Sequence, residues 1–276
     1  MAAGASAPPG YDVRLTVFAS GSSGNALLVE AGSTRLLLDC GISCRRLSRH
    51  LAERGLAPDD LHGVVLSHEH HDHVSGLGTL LRRYPVPLLA TEGTAAGLNG
   101  SGPVSDVVVS GRHVSIGDLD LLPVATTHDA REPVAFVLRH GSLQVGVLTD
   151  TGAVTTLLLD RLAGCHALLV EANHDLDMLR LGPYPWPLKQ RIASRSGHLS
   201  NEQARILVEA VAHSGLETVV GMHLSAENNR PELAARELAR PLAGSPVRVA
   251  IARQSEPLEV VVTGMQCGGK EDEYAG

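Results

Sequence analysis

Along this chain apolar residues fall into short blocks punctuated by Gly, Ser and charged clusters, and the blocks switch between a strand-like and a helix-like period. Residues 13–18, 26–30 and 35–39 predict three strands joined by Gly/Ser turns, an opening meander. Leu47, Leu51 and Ala52 at helical spacing predict a helix over 43–54, and residues 64–66 return as a buried strand. A helix over 77–84, a strand near Leu88 and Leu89, and the segment 91–98 continue the alternation. After Gly100 the texture changes. Strands are predicted over 104–109, 119–124, 134–138 and 143–148, then a strand over 167–170, a helix over 201–213, a strand over 218–220, a helix over 232–239, and strands over 247–251 and 258–262. Two β-rich halves, each covered by helices, point to a layered α/β sandwich. Residues 1–10 and 266–276 carry no apolar pattern and are expected to be disordered. No linker interrupts the stretch between them, so 11–265 reads as one domain.

With 276 residues the chain can bury a substantial core, and its low aromatic content of 3% means that Val, Leu, Ala and Ile must build it. No apolar run approaches the roughly 20 residues that span a bilayer, and the first ten residues lack both a basic region and an apolar core. A cytoplasmic protein without membrane contact is expected. Cys40, Cys44, Cys165 and Cys267 are scattered and form no metal or disulfide framework, so they are read as reduced. The formal net charge of −7 argues against broad attraction to nucleic acid. Bound dications or a local basic patch can still reverse the field at a site.

One stretch concentrates chemistry. Ser67-His68-Glu69-His70-His71-Asp72-His73 packs four histidines and two carboxylates directly after an apolar strand. Imidazole and carboxylate are the ligands that borderline divalent ions such as zinc prefer. The spacing offers two adjacent pairs, His68 with His70 and Asp72 with His73. Three later residues also end apolar strands: His128, Asp150 and His223. Taken singly, each is equally well explained as a hydrogen-bonded polar residue at a strand end; together with the first cluster they make a ligand set.

In this order the set resembles that of the metallo-β-lactamase-fold hydrolases, which implies a four-layer αββα sandwich. Asp39, in Leu38-Asp39-Cys40-Gly41, matches the aspartate that this family places behind the metal loop to orient it by hydrogen bonds. Segments 19–25, 128–130 with Pro133, 171–175, 184–186, 197–202 and 223–229 are together similar to the WalJ (YycJ) branch. Members of that branch are regarded as cytoplasmic nucleases. The resemblance implies one cation on His68, His70 and His128, a second on Asp72, His73 and His223, and Asp150 shared between them. It further implies zinc as the ion, with manganese as the alternative, and 5′ to 3′ exonuclease activity on nucleic acid, DNA ahead of RNA.

Catalytic candidates are Asp72, His198 and Glu171. His198 precedes a plausible helix cap at 199–202 and is the candidate proton donor, as in ribonuclease Z of the same fold; it could instead be a loop residue contacting its own helix. Glu171 could orient it or serve as a buried structural carboxylate. The turn at 20–25 offers Ser22 and Asn25 as part of an anion nest, or is a plain hairpin turn. Trp186, Lys189 and Arg191 could stack a base and contact a backbone, or form a solvated helix face. Two rivals stand beside the nuclease: a small-molecule hydrolase of thioesters or lactones using the same cage, and a metal-binding protein without catalysis. The second predicts a defective cage, whereas every expected ligand is present.

Overall fold

The computed structural model describes residues 12–98 and 102–263. The ends read as disordered, 1–10 and 266–276, and Cys267 lie outside the described residues. The first sheet comprises β1 (Asp12–Ala19), β2 (Ala26–Ala31), β3 (Thr34–Leu38), β4 (Gly63–Val65), β5 (Leu88–Ala90), β6 (Asp106–Val107) and β14 (Leu258–Thr263), in the order β14-β1-β2-β3-β4-β5-β6. The second comprises β7 (Val114–Ile116), β8 (Leu119–Ala125), β9 (Val134–His140), β10 (Leu143–Leu148), β11 (Ala167–Glu171), β12 (Thr218–Met222) and β13 (Arg248–Ile251), in the order β13-β12-β11-β10-β9-β8-β7. Each sheet has an antiparallel half and a parallel half. The parallel strands are β3 to β6 in one and β10 to β13 in the other.

The strands are apolar almost throughout because both faces of each sheet are covered. Side-chain alternation divides them cleanly: Leu36 and Leu38 of β3 and Ala167 and Leu169 of β11 enter the core between the sheets, joined by Val13, Leu15, Phe136 and Val220. Leu37 faces outward onto Leu47 and Leu51 of α1 (Cys44–Ala52) and Leu77 and Leu80 of α3 (Leu77–Arg83). Leu168 and Val170 face outward onto α5 (Thr156–Leu162), α8 (Asn201–Val211) and α9 (Pro231–Ala239) through Leu158, Leu207, Val208 and Leu238. The result is the αββα order that the resemblance implies. Each of these buried Val, Leu and Phe side chains contributes about 1.5–3 kcal/mol relative to exposure.

The structure corrects the sequence reading in three places. The strand expected over 104–109 shrinks to Asp106–Val107 and is the edge of the first sheet, not the opening of a second block. The last strand, β14, returns to pair antiparallel with β1. The helices α5 and α6 (Leu176–Leu181), the short α2 (His71–Val74) and the strand β7 were not anticipated. The remaining helices are α4 (Glu92–Gly97) and α7 (Trp186–Ile192). Cys40, Cys44 and Cys165 are free and buried.

Within each sheet the parallel strands end on one edge, and the chemistry-bearing residues follow those ends. Asp39 follows β3, residues 67–73 follow β4, Asp150 follows β10, Glu171 closes β11 and His223 follows β12. The two sheets meet there, where Val134 N at the start of β9 donates to Ser67 O at 3.0 Å.

Candidate metal centre

Asp39 supports the histidine loop from behind. Its carboxylate accepts from Ser67 N at 2.8 Å and Ser67 Oγ at 2.8 Å, and lies 2.7 Å from His73 Nδ1. Ser67 Oγ, having donated to Asp39, sits 2.9 Å from His68 Nδ1 and accepts from it. Nδ1 of both rings thereby carries a proton, and Nε2 is turned toward the site. His128 is set the same way, with Nδ1 donating to Gly197 O at 2.9 Å.

The freed atoms converge. His128 Nε2 stands 3.2 Å from His70 Nδ1, and His68 Nε2 is buried without a hydrogen-bond partner. Ligand atoms of His68, His70 and His128 fall within 4.8 Å of one another, as do those of Asp72, His73 and His223. Asp72 Oδ2 lies 3.2 Å from His223 Nε2 and 3.5 Å from His73 Nε2. Asp150 stands between the groups, with Oδ1 3.8 Å from His128 Nε2 and Oδ2 3.1 Å from His73 Nε2. That Oδ2 is buried, and His73 is the group that faces it. A buried imidazole nitrogen without a partner, beside a fully buried carboxylate faced only by imidazole nitrogens, fits a cation, which would offset the desolvation of both.

Backbone geometry reinforces the point. Among the described residues the non-glycine positions with positive φ are Asp39 (60°), Asp150 (55°) and His223 (54°). Each costs roughly 1–2 kcal/mol in an L-residue, and such strain gathers where function dictates the direction of a side chain.

The protonation states split the cage in two. Burial and the neighbouring His73 hold His68 well below the ordinary imidazole range, and burial lowers His128 as well, so both are neutral ligands. Burial would also depress His73, but Asp39 and Asp150 outweigh it and push the value up to about 10. His223 is raised likewise, chiefly by Asp150 against its burial. Asp150 stays ionised despite full burial because His223 and His73 face it. The carboxylates thus demand positive charge at this spot.

Glu171 lies beneath the second group, completely buried. Its Oε1 is 2.6 Å from His198 Nδ1 and 3.3 Å from His223 Nδ1, while Oε2 accepts from Thr151 N and Leu199 N. All its capacity is used to hold other groups, so it positions His198 rather than meeting a substrate. Burial works against the ionised form, yet His198 and these hydrogen bonds lower its pKa to about 2. Burial would likewise lower His198, but Glu171 raises it, which keeps a proton available there. An opening of about 200 Å³ is lined by Ser22, His70, Asp72, His128, Asp150, Arg191, His198 and His223.

The other expected contacts fare unevenly. Arg191 reaches the opening and pairs with Asp129 at 2.6 Å. Trp186 is 65% exposed at the start of α7, and Lys189 donates to Arg180 O; neither lines the opening. In the turn at 20–25 four amides are taken up within the fold: Gly21 N by Asn25 Oδ1, Ser23 N by Gln254 Oε1, Gly24 N by Gly21 O and Asn25 N by Asp72 O. Ser22 does face the opening. Asn25 is buried, its amide 3.0 Å from His73 Nε2 and 3.3 Å from Asp72 Oδ2, so it braces the ligand loop. Sequence reasoning missed Ser67 and Ser20, whose Oγ accepts from His223 N at 2.7 Å; a serine beside a ligand is the faint signal that could have found Ser67.

The family model described as the Beta-lactamase superfamily domain matches residues 34–224, a span containing Asp39 and every ligand candidate. The chain is 35% identical over 246 residues to Exodeoxyribonuclease WalJ of Streptococcus pneumoniae serotype 2, covering 86% of this chain and 91% of that protein. It is 34% identical over 235 residues to Exodeoxyribonuclease YycJ of Bacillus anthracis, covering 83% and 89%. The chain belongs to the beta-lactamase superfamily, in its WalJ/YycJ branch. The metallo-beta-lactamase fold protein YhfI from Bacillus subtilis shares the fold of this superfamily member, with a TM-score of 0.71 at 18% identity over 91% of this chain and 100% of that one. The superfamily and the His/Asp donor set together make this a site for divalent metal. Among the described residues no helix of this WalJ/YycJ-branch protein is long and apolar enough to cross a membrane.

Proposed function

We propose that this protein is a two-metal phosphodiesterase that digests DNA from the 5′ end, with zinc as its ion and manganese as the alternative. His68, His70 and His128 would hold one cation, Asp72, His73 and His223 the other, with Asp150 between them. When bound, such ions supply Lewis acidity to the phosphoryl oxygens and a nucleophilic water at neutral pH. The protein does the rest. His198, with Nδ1 held by Glu171, offers its other ring nitrogen to the opening and gives a proton to the leaving oxygen. Arg191, steadied by Asp129, and Ser22 engage the phosphate being cleaved, while exposed Trp186 stacks a base and Lys189 meets the backbone.

The observation that carries this reading is one opening lined by members of both ligand groups, a carboxylate-steadied histidine and an arginine. That both bacterial relatives are exodeoxyribonucleases by name supports DNA as the substrate. The core shared by both sheets supports one domain over 11–265, and the nuclease reading supports a cytoplasmic site of action. The test is to incubate purified protein and divalent metal with 5′-phosphorylated DNA, and separately with thioesters and lactones. Progressive shortening of the DNA is expected. Turnover of the small esters with the DNA left intact would sink the nuclease and leave the small-molecule hydrolase in its place.

A further inference from the structure

A second cavity, of about 350 Å³, is lined by Ser43, Arg45, Arg46 and Arg49 at the start of α1. Three guanidinium groups around one hollow are notable in a chain whose Lys and Arg number 23 against 30 Asp and Glu. Arg46 is fixed in place, donating to Gln254 O at 2.9 Å and Phe18 O at 3.5 Å. Burial, and then repulsion from Arg49, lower its basicity. Arg45 is exposed, and its side chain makes no ion pair or hydrogen bond among the described residues. Arg49 reaches Glu53 only at 3.8 Å, with the two side chains 66% and 58% exposed, a pairing that contributes little.

The cavity adjoins the metal opening. Gln254, whose carbonyl Arg46 grips, donates through its amide to Gly24 O at 2.8 Å and accepts from Ser23 N at 2.9 Å. The next residue, Ser22, lines the opening itself. One glutamine side chain and one turn therefore separate the two hollows. Arg45 and Arg49 are four residues apart on α1, hence on one face and about 6 Å apart along the axis. Such a stripe follows a strand of phosphates rather than capping a single anion, and the planar fork of arginine suits phosphate oxygens.

We infer that Arg45, Arg46 and Arg49 form a second phosphate subsite, which grips the DNA backbone beyond the nucleotide being cleaved and makes affinity grow with strand length. The inference rests on the nuclease reading above. It is tested in metal-loaded, full-length protein carrying Arg45→Ala together with Arg49→Ala, leaving Arg46 to hold its carbonyls. Steady-state kinetics are compared on a dinucleotide, on a long 5′-phosphorylated single-stranded oligonucleotide and on bis(p-nitrophenyl) phosphate, which needs only the metal centre. KM for the long strand should rise about tenfold with kcat little changed, and turnover of the dinucleotide and the small ester should stay at the wild-type level. The slope of log KM against log salt should shrink by about 1.4, two contacts at about 0.7 each for a single strand. The charge reversal Arg45→Glu, at an exposed position that the fold does not need, should raise KM further. An unchanged KM for the long strand, or an equal loss on all three substrates, would overturn the subsite while the nuclease reading stands. A wild-type protein that hydrolyses the small ester but no DNA would bring down that reading and the subsite with it.

Discussion

Replacing Gly41 with Ala tests how the fold holds the ligand loop in register. Gly41 follows Asp39 by two residues, and an added Cβ would meet Asp72 O at 1.6 Å, Asp72 C at 2.4 Å and Asn25 N at 2.7 Å. All three are backbone atoms, so no rotamer change relieves the clash. The loop bearing Asp72 and His73 must move, and with it go Gly41 N to Asn25 O and Asn25 N to Asp72 O, each 2.8 Å. Overpacking costs about 1–3 kcal/mol and two lost hydrogen bonds about 1 kcal/mol each, giving roughly 3–5 kcal/mol. At about 2–4 °C per kcal/mol for a chain of this size, Tm should fall by roughly 6–20 °C. Metal content by elemental analysis should fall with it. Gly55→Ala is the control: its φ is +71° but no atom lies within 4 Å, so only the conformational cost of about 1 kcal/mol applies and metal loading should be normal. Should calorimetry find the two variants melting together with equal metal content, the steric account of the loop is wrong.

Three further outcomes are expected. His198→Ala should leave metal content unchanged yet slow DNA cleavage by about 10²–10⁴-fold, and a normal rate would remove His198 from the mechanism. Asp150→Asn should lower occupancy, because an amide cannot serve two cations as a carboxylate does; full loading in elemental analysis would contradict its place between the groups. Metal affinity should rise with pH up to about 10, since below that value His73 carries a second proton, on Nε2, and must lose it before that nitrogen can ligate. Calorimetric titration over about pH 6 to 8 should show close to a tenfold gain per pH unit for each proton released, and a flat profile would refute it.

Much of this was legible in the chain because the ligands sit at strand ends, where an apolar run stops on a polar residue. His128, Asp150 and His223 were visible for that reason, and the spacing of His68 to His73 needed only a strand before it. The pairing of β14 with β1 was not, since a contact between the two ends of the chain leaves no local trace. The strand over 104–109 was over-read because an apolar run at a sheet edge resembles a central one until its partners are known. The helix α5 did leave a signal, Thr155 before a leucine run, and its Oγ indeed accepts from Leu158 N at 3.2 Å. What periodicity cannot carry is backbone handedness. The positive φ of Asp39, Asp150 and His223, and the use of Asn25 as a brace rather than a substrate contact, follow from where β-strands of two sheets meet.

Both ligand groups draw on both sheets: His68 and His70 follow a strand of the first and His128 one of the second, while Asp72 and His73 face His223 across the same seam. A cation seated in either group is therefore a rivet through the sandwich. Its removal loosens the joint between the two halves as well as disarming the chemistry, so chelators should make the protein easier to pull apart, cleave and melt long before any strand has frayed.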